Sequence, residues 1–98
     1  TQDTSVTDKV REIAAVKLAT YKVDTADYQE IETLLAPIVQ KNGAWAVMAK
    51  ELMAMSAIQN KNMEKAKAIY EELLTNTNIS DEFKARINDM LASINEAQ

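Results

Sequence analysis

The residue types that carry most enzyme chemistry are missing from this chain. Its 98 residues include no histidine and no cysteine, so the commonest general base and all thiol nucleophiles and disulfides are absent. Serine–histidine triads, histidine-bearing zinc sites and histidine-bearing di-iron bundles are excluded with them. Carboxylates remain. Glu30 and Glu32 stand two apart, so they diverge around a helix and cannot share a site. Glu71-Glu72 and Asp81-Glu82 read as solvated faces. Asp24-Thr25-Ala26-Asp27 lacks the alternating oxygens of a calcium loop, and Gly43, the only glycine, makes no phosphate cradle. The expectation is a non-enzyme with no catalytic residue, no metal and no cofactor.

Binding chemistry is what remains. Trp45 is the only tryptophan, and Met48, Met53, Met55, Met63 and Met90 are the methionines. Trp45 can anchor a peptide, or pack over the Gly43 turn against the helix before it. The methionines can form an adaptable groove or fill the core; Met53 and Met63 read as core. A formal charge of −4 argues against a nucleic-acid or anionic-lipid surface. The longest uncharged run, Leu52–Asn60, has nine residues, against roughly 20 needed to cross a bilayer. No direct membrane insertion by this segment is expected. The chain opens on Thr1 rather than methionine, as expected of an excised or processed piece whose membrane anchor, if any, lies outside it.

Helices must position these residues. One glycine and one proline among 98 residues leave almost no turn chemistry for hairpins of strands, so an all-α fold is expected. A helical phrase is written twice. Asp27-Tyr28-x-x-Ile31-x-x-Leu34-Leu35 returns 35 residues later as Asn62-Met63-x-x-Ala66-x-x-Ile69-Tyr70, and Leu18-Ala19 returns as Met53-Ala54. A repeat of that length marks stacked helix pairs, and the tetratricopeptide unit of about 34 residues is the nearest period. Such units bury their apolar faces only by stacking, and they offer an extended surface that binds other chains.

The periodicity predicts five helices. The first, about Asp8 to Lys22, has Val10, Ile13, Ala14, Leu18 and Tyr21 as its inner ladder, with Ser5 or Thr7 as cap. The second runs from about Thr25 to Lys41 on Tyr28, Ile31, Leu35 and Ile38. At Pro37 it either ends near Ala36 or continues kinked, the expected course because Ile38 and Val39 extend the stripe. Asn42-Gly43 closes it, with the glycine as left-handed cap. The third, about Ala44 to Gln59, is apolar nearly all round and is therefore central. The fourth follows Asn60-Lys61-Asn62, with Met63, Ala66, Ile69, Tyr70, Leu73 and Leu74 inward. The fifth is capped by Ser80 and buries Phe83, Ile87, Met90, Leu91 and Ile94. Residues 1–6 read as a disordered or linker N-terminus and 7–97 as one helical domain. Its units are about 8–42 and 44–78, with a closing helix at 80–96.

If the first helix of each unit lines a concave side, the 35-residue step aligns three rows. They are Ile13, Met48 and Phe83; Val16, Glu51 and Arg86; and Thr20, Met55 and Met90. Phe83 and Met90 also belong to a core stripe. The expected partner-binding residues are therefore Val16, Thr20, Met48, Glu51, Met55 and Arg86. A groove this apolar is expected to be covered by a partner or by a missing N-terminal helix.

Several segments occur in an order that resembles a known family: Leu34-Leu35-Ala36-Pro37, Gly43-Ala44-Trp45, Ala49-Lys50-Glu51-Leu52, Ala66 with Leu73-Leu74, Ser80 to Arg86, and Met90-Leu91. Over about Ala14 to Ile94 they resemble the tetratricopeptide-like domain of the ancillary Sec translocon subunit family of proteobacterial inner-membrane proteins. The resemblance implies a right-handed stack of two antiparallel helix hairpins plus a C-terminal capping helix. It also implies a membrane-tethered protein at the periplasmic face of the bacterial inner membrane, a non-catalytic scaffold that binds translocon or chaperone polypeptides. Ala15 and Lys50 stand where the general repeat has tryptophan, Ala19 and Ala54 where it has glycine, and Gly43 and Asn78 where it has the closing proline. No peptide-end clamp is carried over. The alternative is a self-association or spacer domain, a homo-oligomer whose groove is filled by another copy.

Overall fold

The computed structural model describes residues 4–97, and the side chains of residues 8–96. Five helices follow one another: α1 (Thr4–Lys22), α2 (Tyr28–Lys41), α3 (Ala46–Gln59), α4 (Met63–Leu74) and α5 (Asp81–Ala97). No strand occurs among the described residues, so the fold is all-α. Neighbours in sequence pack as neighbours in space, α1 with α2, α2 with α3, α3 with α4 and α4 with α5, and α1 also touches α3. The body measures 52 × 30 × 18 Å.

The boundaries follow from capping. Tyr28 and Met63, which open α2 and α4, stand 35 residues apart, as do the caps Asp27 and Asn62 before them. Asn62 accepts the Lys65 backbone N–H at 3.3 Å, and Ser80 accepts that of Phe83 at 3.0 Å, satisfying donors that a helix start leaves free. At the end of α3, Lys61 is left-handed (φ 63). The Lys61 N–H bonds to Ile58 O at 2.9 Å and the Asn62 N–H to Ala57 O at 2.7 Å, the two bonds of a Schellman closure. The Asn60 amide adds bonds to Ser56 O at 2.8 Å and to Ala26 O at 3.3 Å, tying this corner to the α1–α2 link.

Several boundaries differ from expectation. α1 is helical from Thr4, so Ser5 and Thr7 lie within it rather than capping it, and the expected linker is helix from its fourth residue. Residues 1–3 of that linker lie outside the described residues. α2 starts at Tyr28 rather than Thr25, because Thr25 and Ala26 close the turn after α1 by bonding to Lys22 O. α3 starts at Ala46 with Trp45 as its cap residue. α2 does continue through Pro37 to Lys41. The left-handed residue that ends it is Asn42 (φ 55), not Gly43, and the Asn42 N–H bonds to Ile38 O and Val39 O. Asparagine tolerates this conformation better than other side chains.

The core lies on the two sides of α3. The first cluster joins Val16, Ala19, Ile31, Leu35, Ile38, Ala49 and Leu52. The second joins Ala54, Ala57, Ala66, Tyr70, Leu73, Ile87 and Ile94. Fully burying a side chain such as Ile31 or Leu35 contributes roughly 1.5–3 kcal/mol. The alanines let helix axes approach closely, so contact area comes from backbone proximity as well as from bulk.

α1 is turned against the expectation. Val10, Ile13, Leu18 and Tyr21 are exposed and Ala14 with them, while Val16 and Ala19 are buried, as is Val23 just after the helix. The helix is apolar on two sides, and the side it buries is the one with the smaller residues, where α2 and α3 can come closest.

Candidate protein-binding face

The six expected partner-binding residues divide into three kinds. Met48 and Met55 are 45% and 39% exposed, one below the other on α3 at a seven-residue spacing that keeps them on one face. Ile13 of α1 is also exposed, and it is the 35-residue counterpart of Met48. These three are among the large apolar side chains left exposed on α1 and α3.

Glu51 and Arg86 are brought together. An Arg86 guanidinium nitrogen donates to Glu51 Oε2 at 2.7 Å, linking α5 to α3 at positions 35 residues apart. Glu51 is the more covered partner and Arg86 the more open one. A pair this solvated contributes about 0–1 kcal/mol. The Arg86 guanidinium also lies 4.8 Å from the centre of the Phe83 ring.

Val16 does not behave as expected. Val16 is only 4% exposed and belongs to the first cluster, so it is a core residue and not part of an open groove. α1 is rotated so that Val16, unlike its row partners Glu51 and Arg86, meets the buried residues of α2 and α3. Thr20 is exposed, and its hydroxyl donates to Val16 O at 2.7 Å, an intrahelical bond that occupies its donor. Phe83 and Met90, which belonged to both a row and a stripe, are half-buried against the second cluster. Trp45 packs against the first cluster, so it serves the corner between α2 and α3.

Comparison with family models, with curated proteins and with solved structures finds no match for this chain. The face therefore has to be read from its own chemistry.

Two further features bear on that chemistry. A polar cleft of about 830 Å³ lies between the α2–α3 corner, the end of α4 and the start of α5. Its charged groups are Lys50 and Glu72, joined at 3.4 Å, and its Ser80 hydroxyl already accepts the Phe83 N–H. Among the described residues no acidic cluster is placed to hold a metal ion, and no helix is long and apolar enough to cross a membrane. Sequence reasoning missed the exposed apolar patch on α1 formed by Val10, Leu18 and Tyr21. Hydrophobic periodicity gives no signal of it, because it ranks these large residues as core.

Three groups are perturbed in a way that predicts a pH response. Burial pushes the Tyr70 phenol up, Glu51 pushes it further and Arg86 opposes. Burial, then Glu32, raises Tyr28. Lys41 is raised chiefly by its hydrogen bond to Glu12, at 2.7 Å. In each case the folded chain holds its proton more tightly than the unfolded chain. Stability is then complete below the ordinary tyrosine and lysine values and falls as pH rises through them. Urea titrations from pH 8 to 11 should show this decline, and Tyr28→Phe/Tyr70→Phe should flatten it. An unchanged slope in the double variant assigns the decline to other groups.

Proposed function

We propose that this chain is a non-catalytic protein-interaction module, a short tetratricopeptide-like stack that binds a polypeptide across α1 and α3. The observation that carries this reading is the set Ile13, Met48 and Met55, apolar side chains of α1 and α3 left in solvent together with the Glu51–Arg86 pair. Methionine adapts to varied partners, and the neighbouring charges can orient a bound segment. The resemblance of Leu34–Pro37, Gly43–Trp45, Ala49–Leu52 and Met90-Leu91 to the ancillary Sec translocon subunits supports a partner among translocon or chaperone polypeptides. On the same resemblance, the module works at the periplasmic face of a bacterial inner membrane. The polar cleft does not favour catalysis, since its one charged pair is already joined and no histidine or cysteine accompanies it.

Met48→Asp/Met55→Asp tests the reading. Both side chains are exposed, so the thermal midpoint should hardly move. Affinity for a polypeptide captured by the native chain from envelope extract, identified by mass spectrometry and then purified, should fall at least about tenfold, or 1.4 kcal/mol. A folded double variant that binds as tightly as the native chain would place the binding surface elsewhere. Self-association through the same residues predicts instead a scattering mass that rises with concentration in the native chain and not in the variant.

A further inference from the structure

The 35-residue step relates the two hairpins in space as well as in sequence. Ala19 and Ala54, Ile31 and Ala66, Leu35 and Tyr70, and Ile38 and Leu73 are counterparts, and all are buried. One set of counterparts breaks the rule. Ala49 and Leu52 of α3 belong to the first cluster, and Met53 and the cap residue Trp45 pack against it, that is, onto the hairpin that precedes them. Their counterparts in α1 are Val10, Ala14, Lys17 and Leu18, and all four are exposed, Val10 by 59%. Tyr21 is 87% exposed where its counterpart Ser56 is fully buried.

A groove beside this face repeats the pattern. It holds about 550 Å³ between α1 and α2, and Leu18, Lys22, Glu30 and Leu34 are among its walls. The counterparts of those residues are Met53, Ala57, Lys65 and Ile69. In the second unit, Tyr28 of the preceding hairpin packs against the cluster that contains Ala57 and is flanked by Ile69. The Lys65 ammonium lies 5.3 Å from the Tyr28 ring centre. In the first unit the position of Lys65 is taken by Glu30, which pairs with Lys22, and no side chain of a preceding hairpin covers the groove among the described residues.

We infer that the outer face of α1, together with the α1–α2 groove, is an open seam that receives another antiparallel helical hairpin of the same kind as Thr4–Lys41. The interface that α3 makes with the first hairpin continues onto α1 by one repeat step. Such interfaces between neighbouring units supply much of the stability of a helical stack. The occupant presents an apolar face to Val10, Ala14 and Leu18 and polar side chains to the Lys22–Glu30 pair at the groove. Lys17 stands where the repeat has Leu52, and its aliphatic stem can lie along the seam with the ammonium at the edge. A second copy of this chain is a poorer match. The exposed face of α5 carries Asn88, Asp89, Ser93, Asn95 and Glu96, and pairing α1 with α1 would gather Lys9, Arg11 and Lys17 from both copies.

A chain lengthened by a duplicate of residues 8–42, inserted directly before Asp8, keeps the 35-residue register and supplies such a hairpin. It should unfold in one transition with a midpoint raised on the order of 10 °C. Val10→Asp/Leu18→Asp in the original copy should remove that gain, while the same pair leaves the midpoint of the 98-residue chain nearly unchanged. Circular dichroism of both variants confirms that they remain helical. A separate transition for the added hairpin, or an unmoved midpoint, overturns the inference. It is also overturned if the 98-residue chain dimerises, or binds phosphatidylserine vesicles, and loses that property in Val10→Asp/Leu18→Asp. The face would then belong to a second copy or to an anionic membrane.

Discussion

Leu35→Ala should destabilise the chain by about 2–5 kcal/mol, the range for removing a fully buried leucine from a packed core. Leu35 has no exposed surface and sits in the first cluster with Ile31 and Ile38 of its own helix and Ala49 and Leu52 of α3. The neighbours that would have to collapse into the vacancy are restrained. Pro37 fixes the backbone two residues on, and Ala49 is too small to fill the space. The loss therefore belongs in the upper part of that range. For a domain of this size each kcal/mol moves the midpoint roughly 4–8 °C, so a thermal scan should register a fall of more than about 10 °C. Leu34→Ala, at a partly buried neighbour, should cost clearly less. Equal losses for the two would mean that the first cluster is not packed around Leu35.

Ala54→Leu should also destabilise, by about 1–3 kcal/mol, although it adds apolar surface to an apolar helix. Ala54 is fully buried, and so are Ala57 beside it and Ala66 on α4. A transfer scale alone predicts a gain from the added carbons. Close packing predicts a loss, because α3 and α4 meet where there is no room for a branch. Met55→Leu, one residue on but exposed, should be nearly neutral and serves as the control. A denaturant midpoint that rises for Ala54→Leu would mean that the alanine seam has slack. The predicted fall would show that the small residues set the helix spacing.

That contrast explains which parts of the molecule were legible in the sequence. α2, α4 and α5 each carry one apolar stripe of large residues, and Ile31, Leu35, Ile38, Tyr70, Leu73, Ile87 and Ile94 are buried where periodicity places them. α1 carries large apolar residues on one side and Ala15, Val16 and Ala19 on another. A helical wheel ranks the larger set as core. Packing chose the smaller set, because helices held close together favour small side chains between them. The same rotation took Val16 out of the candidate site. The 35-residue register aligned Glu51 with Arg86, which do pair, but it also aligned Val16, which is buried. The seven-residue spacing of Met48 and Met55 is what puts both on one exposed face of α3. The corner residues were less legible. Asn42 and Gly43 both tolerate a left-handed backbone, and sequence alone gives no reason why the asparagine adopts it (φ 55).

The division of the core by α3 also has a consequence in time. Every residue of the first cluster and its packed border, from Ala15 to Met53, precedes α4 and α5 in the chain. During synthesis the N-terminal part of a chain is the first to become available for folding. The α1–α2 hairpin and the near side of α3 can therefore close while α4 and α5 are still being made. The far side of α3, with Ala54 and Ala57, then waits as an exposed template until α4 arrives. A chain halted after Gln59 would hold a finished first cluster and an adhesive second face, so chaperone binding during synthesis should peak in that interval and end once Tyr70 and Leu73 have docked.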